Sequence, residues 1–254
     1  MSAAHEPGAD APDRWWGNHL GEARSVLELG RLLLDPVFVP LGLPRGDGRA
    51  VLLMPGFLAG DQTMLVLGRW LRRLGYRPGV CGFVANVDCS DRAAARVERR
   101  VRALYERSGR RVALIGHSRG GHFARALAAR LPDHVSHALS LGADLQGMFG
   151  ISAPTEWAVG AVRSAVERSG RARAPRCLTA DCGCSFAVDY GATFPRDRVR
   201  MTSIYSRGDG VVRWRTCQVP YADCVEVPGS HTGLIFNHHV YRAIARALAE
   251  PELS

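Results

Sequence analysis

The sequence predicts an α/β protein: a mostly parallel central sheet flanked by helices, with a helical cap inserted in its second half. Three observations lead there. The runs AVLLMPG, RRVALIGHS and VSHALSLGA are too continuously apolar for strands with one wet face, so they read as strands buried on both faces. Between them stand segments with apolar residues at three- and four-residue spacing, and such alternation builds a parallel sheet covered on both sides. The 254 residues, 46% hydrophobic and 22% charged, suffice for one core of that kind without disulfides.

Residues 1–18 read as a polar leader and 19–254 as one domain. MSAAHEPGADAPDRWW shows no secretion-signal pattern. In VLELGRLLLDPVFVPLGL, Glu28, Arg31 and Asp35 interrupt an apolar stretch too short and too charged to span a bilayer. Leu27 and Leu34 are expected to pack on the domain, with a lid or a surface-binding helix as the alternative. LPRGDGRA turns into the strand AVLLMPG. Asp61 opens a helix striped by Met64, Leu67, Leu71 and Leu74, which Gly75 ends. RPGVCGFVAN reads as a second strand. Ser90 or Asp91 caps a helix carrying Val97, Val101 and Leu104, closed by Ser108-Gly109. The strand RRVALIGHS follows, then a helix with Phe123, Leu127 and Leu131 that stops at Pro132, then the strand VSHALSLGA. Alternation lapses at about 145–198, the expected cap, where EWAVGAVRSAVERSG is helical. VRMTSIYSRGD and DCVEVPGSH read as strands and HHVYRAIARALAE as the last helix.

The net charge of +9 raises the question of nucleic acid or an anionic membrane as a partner, and the distribution of that charge argues against both. All 33 basic residues are arginine, which reads as the composition of a GC-rich genome. They are scattered, and the densest cluster, RRVRALYERSGRR, falls on a helix surface and reads as a solvated face. No nucleic-acid partner and no transmembrane segment is expected, and the default compartment is the cytoplasm. Of seven cysteines, Cys177, Cys182 and Cys184 cluster. Reduced structural thiols are favoured over a local disulfide of Cys177 with Cys182 or Cys184. A metal site would want a further paired-cysteine knuckle, which is absent from the sequence.

Three motifs fall at strand ends, where open α/β sheets bind ligands. Gly116-His117-Ser118-Arg119-Gly120 is G-x-S-x-G between a strand and a helix. That turn pushes a serine hydroxyl into the open, and the glycines avoid collision with the facing strand or helix. A serine needs a base. Among nine histidines His231, in PGSHTGL after the last strand, is placed on a flexible loop that lets its imidazole reach Ser118. The acid that orients it is read as Asp209 in YSRGDGVV, with Asp144 in SLGAD as rival. Donors for a developing oxyanion are expected from the backbone N–H groups of Arg119 and of Phe57, or of Leu58, in LLMPGFLAGD.

PGFLAGD, GHSRGG, YSRGDGVV and GSHTGL, in this order over about 50–250, resemble the α/β-hydrolase superfamily, in particular its bacterial lipase- and esterase-like members. The chain has Pro55-Gly56 where many relatives have His-Gly, a change that spares the backbone donor. The resemblance implies a serine hydrolase cleaving a small, apolar carboxylic ester through an acyl-enzyme on Ser118, with no metal or organic cofactor. Leu145, Met148, Phe149, Ile151 and Trp157 offer an apolar surface for the acyl group. Two alternatives stay open: a thioesterase, acyltransferase or lactone-forming cyclase using the same triad, and a non-catalytic binding module.

Overall fold

The four inner strands alternate their side chains between two apolar layers, and that alternation accounts for their burial on both faces, while the two edge strands stay partly exposed. The computed structural model describes residues 15–40, 42–171, 176, 178–179 and 181–253. In chain order the main elements are α1 (Ser25–Leu34), β1 (Ala50–Met54), α2 (Leu65–Leu74), β2 (Arg77–Val80), α3 (Ser90–Ser108), β3 (Val112–His117), α4 (Arg119–Arg130), β4 (Val135–Leu141), α5 (Ala153–Arg168), α6 (Ser185–Gly191), β5 (Arg200–Tyr205), β6 (Asp223–Glu226) and α7 (His238–Ala249). The six strands form one sheet in the order β2-β1-β3-β4-β5-β6, with every neighbouring pair parallel. Leu52, Met54 and Leu114 pack with Val97, Val101 and Phe123 under α3 and α4, while Val51, Leu53 and Ile115 pack with Trp70, Tyr241 and Ile244 under α2 and α7.

The chain reverses direction across the sheet between β1 and β3, so the crevice at a switch point opens where their carboxyl ends diverge. Residues 55–58 follow β1 there, and Ser118 follows β3.

Three expectations are corrected. The second strand stops at Val80, because the Asp61 carboxylate accepts the N–H groups of Gly82 (2.6 Å) and Phe83 (3.1 Å) that a longer ladder would need. Leu27 and Leu34 do not pack on the domain. The inward face of α1 carries Glu28 and Leu32, and Leu34 stands 89% exposed. Trp157 is exposed and meets Trp16 edge-on.

The arginine-rich helix α3 is solvated as expected, with Arg102 paired to Glu98 one turn away. Cys182 and Cys184 are buried thiols, and burial raises Cys184 to about 12. Cys177, like the leader up to residue 14, lies outside the described residues. Among the described residues no cluster of His, Cys, Asp or Glu is arranged to hold a metal ion, and no helix is long and apolar enough to cross a membrane.

Candidate active site

Ser118 joins β3 to α4 at φ 50° and ψ −120°, a backbone conformation that non-glycine residues rarely adopt and that costs of order 1–3 kcal/mol. The turn is tight because its neighbours lack side chains. A Cβ on Gly116 would lie 2.0 Å from the Gly120 carbonyl oxygen, and one on Gly120 would lie 2.2 Å from that of Met54. The strain is held by flanking bonds: Ser118 N–H donates to Leu141 O (2.8 Å), and Gly121 N–H donates to Ser118 O (2.8 Å).

The loop after β1 approaches the same serine. A Cβ on Gly56 would come within 3.2 Å of Ser118 Cβ, so the backbone bearing Phe57 passes directly beside Ser118. Leu58 completes the loop at a positive φ of 62°. Asn86 buckles it in place: its amide donates to Pro55 O (2.9 Å) and its backbone N–H to Ala59 O (2.8 Å). The Arg119 guanidinium donates to Asn86 O (2.8 Å), tying the loop to the first residue of α4. Asn86 carries no signal in the sequence, because it acts through backbone groups of a distant loop.

Asp209 and His231 meet below. The Nδ1–H of His231 donates to Asp209 Oδ2 at 2.7 Å, and Asp209 Oδ1 accepts the N–H groups of Val211 (2.8 Å) and Val212 (2.7 Å). A proton on Nδ1 leaves Nε2 as the imidazole's acceptor. Burial by itself pushes the imidazole down. The charge and hydrogen bond of Asp209, with the charge of Glu22, outweigh it and raise His231 above its ordinary 6.5.

Asp144, the rival acid, is engaged elsewhere. Its carboxylate accepts from the backbone of Gln146 (2.9 Å), Gly147 (3.0 Å) and Gly150 (2.6 Å), shaping the loop at the start of the cap.

The His231 loop is not slack. Glu22, just before α1, accepts His231 N–H (3.0 Å) and Gly210 N–H (3.0 Å) on Oε1 and Thr232 N–H (2.7 Å) on Oε2. One carboxylate thus spans the Asp209 loop and the His231 loop. Glu28 adds Ser230, through its N–H (2.9 Å) and its hydroxyl (2.8 Å). His117 closes the arrangement: a carbonyl can only accept, so His117 Nε2–H donates to His231 O (3.0 Å). Burial, with the nearby His231, lowers His117 to about 3, so it is neutral near pH 7. Glu22, Glu28 and His117 are missed by sequence reasoning. The two glutamates act across some two hundred residues through backbone amides, and His117 looks like a filler of the serine motif.

Ser118 stands where two cavities meet. One is a narrow apolar pocket of about 70 Å³, reaching past Met148, Phe149 and Ile151 to Val159, Leu178 and Phe186. The other is an open groove of about 410 Å³, lined by Phe57, Leu58, Thr155, His231 and Thr232. The structure brings Ser118, Phe57 and His231 to one groove and pairs Asp209 with His231; Arg119 lines the apolar pocket.

A sequence model of the palmitoyl protein thioesterase family matches residues 84–179. No curated protein matches the chain at a significant level. Solved structures do match. A mature lipase of Bacillus licheniformis superposes with a TM-score of 0.53 at 13% identity, over 82% of this chain and 95% of that one. A monoacylglycerol lipase of Paleococcus ferrophilus gives 0.54 at 15% identity, over 82% and 96%. Polyneuridine aldehyde esterase gives 0.52 at 15% identity, over 80% and 100%.

Proposed function

From the premise that this chain has the α/β-hydrolase fold, we propose that it is a serine hydrolase of carboxylic esters. The observation that carries the reading is the buried His231–Asp209 pair at 2.7 Å, in the groove that Ser118 also lines. His231 Nε2 takes the Ser118 proton as Oγ attacks the ester carbonyl carbon. The carbonyl electrons move to its oxygen, which the N–H groups of Phe57 and Arg119 hold; each such donor contributes roughly 3–4 kcal/mol in the transition state. The tetrahedral adduct collapses, and the alcohol leaves with the proton from His231. Water then attacks the acyl carbon, giving a proton to His231, and Ser118 departs reprotonated. Asp209 holds the imidazole in its tautomer throughout. The acyl group occupies the narrow pocket and the leaving group the open groove.

A thioester reading uses the same steps with a thiol leaving, and the thioesterase family match over residues 84–179 favours it. The narrow pocket favours short acyl groups over palmitoyl. A p-nitrophenyl ester series, with the matching acyl thioesters in parallel, tests both readings. Turnover is expected to be higher on butyrate than on palmitate and to vanish in Ser118→Ala at unchanged fold. Substantial turnover by Ser118→Ala would overturn the assignment. Val159→Trp, which fills the pocket, is expected to suppress butyrate turnover while sparing acetate.

A further inference from the structure

The helix α1 is built the wrong way round for a solvated surface helix. Its inward face carries the carboxylate of Glu28 beside Leu32, and its outward face carries Val26, Leu27, Leu33 and Leu34. Leu20 before it is 92% exposed, and Val39 after it is exposed as well. Soluble monomers rarely show so much contiguous aliphatic surface without using it.

A cleft of about 770 Å³ that carries three arginines lies against the same helix. Arg24, Leu27 and Arg31 line it from the α1 side, Arg207 from the segment after β5, and His238 and His239 from the first turn of α7. The positive end of the 12-residue helix α7 therefore faces it too. Among the described residues Arg24 and Arg31 form no ion pair. The nearby carboxylates are engaged: Glu226 with Arg207, Asp35 with Arg242, and Glu28 with Ser230.

Exposed aliphatic side chains interleaved with unpaired arginines fit one class of surface. We propose that the segment 20–39 docks this protein on an anionic lipid bilayer, with the leucines entering the interface and Arg24 and Arg31 meeting headgroup phosphates at the mouth of the cleft. A helix of this composition lies flat in the interface plane. A second copy of the chain fits less well, because a two-fold contact through α1 would bring the same arginines together. Between Ser2 and Arg14 the sequence contains no aliphatic side chain larger than alanine or proline. Glu22 and Glu28 bind the loops around His231, so a docked segment holds the site close to the layer into which apolar esters partition.

The experiment is co-sedimentation of the full chain carrying Ser118→Ala, which prevents lipid turnover, with vesicles of phosphatidylcholine alone or mixed with phosphatidylglycerol. Binding is expected on the mixed vesicles and to weaken at high salt. The double variant Arg24→Glu/Arg31→Glu is expected to bind at least about thirty-fold more weakly. Leu27→Ser/Leu34→Ser is expected to lose at least about ten-fold at unchanged thermal stability, both leucines being exposed. Equal binding to both vesicles, or none, overturns the proposal. So does a dimer in size-exclusion chromatography that Leu27→Ser/Leu34→Ser dissolves, or competition by inorganic phosphate that leaves the leucine variant indistinguishable from its parent. None of these readouts depends on ester hydrolysis.

Discussion

Asp209 divides its carboxylate between two tasks. One oxygen orders its own turn and the other fixes His231, so Asp209→Asn keeps the turn and spoils the tautomer. The expected result is a roughly 10⁴-fold lower kcat at nearly unchanged stability, read from steady-state kinetics beside a thermal melt. His231 titrates above 6.5, and only its neutral form accepts the serine proton. The acid limb of kcat/KM is therefore expected to have its midpoint above pH 6.5. Glu22→Gln removes one of the charges that hold it there, and its limb should move to lower pH. An unmoved limb would reduce Glu22 to a structural staple. Stability runs the other way: the protonated imidazole favours the fold below pH 6.5, and that contribution is lost as pH rises through the raised value. At this residue activity and ion-pair stability peak on opposite sides of one titration.

At the scale of elements, the serine turn and α1 make contrasting predictions. Gly120→Ala drives a Cβ into the Met54 carbonyl at the end of β1, where neither side can yield cheaply. A loss of at least about 3 kcal/mol is expected, measured by denaturant unfolding. In α1, Leu32→Ala empties a fully buried position and should cost about 2–5 kcal/mol, whereas Leu34→Ala, two residues on, should change stability by less than about 0.5 kcal/mol. That contrast marks a limit of reading pattern. The strands and α2 to α4 are legible because their apolar periodicity matches the layers they enter. The serine turn is legible because sterics restrict its residues. In α1 the apolar spacing is equally clear, yet it names the wrong face: the inward side is chosen by the N–H and hydroxyl of Ser230 that Glu28 must meet. The three residues Ser118, Asp209 and His231 stand out through motif and order. Glu22 and Asn86, which hold their loops, do not, because any chain position able to present an acceptor or an amide would serve.

The whole molecule stores three neutral histidines. Burial lowers His117 to about 3 and His122 and His137 to about 4, whereas in the unfolded chain each titrates near 6.5. Between pH 6.5 and about 4 the unfolded state therefore binds more protons, and stability falls as the pH falls. The expected slope is up to about 4 kcal/mol per pH unit once all three are charged in the unfolded state. Melting temperatures across that window check it. His137→Asn is expected to flatten the slope by about a third without changing its sign, since His137 pairs with Arg49, far from the serine.

From β3 onward the strands lie across the sheet in the order in which they are synthesised, so each new strand can add to a finished edge. The segment carrying Glu22 cannot do this. Its partner His231 lies 209 residues downstream, which at ordinary translation speeds means a wait of roughly 10–40 s. During that interval the leucine-bearing helix leaves the ribosome with neither its inward support nor its binding loops, an obvious client for a holdase chaperone. The Asp209–His231 contact cannot form before residue 231 has left the exit tunnel. A product truncated before His231 would keep the serine turn but lack the imidazole, and the proposed chemistry would wait until the segment carrying Glu22 and the loop carrying His231 have met.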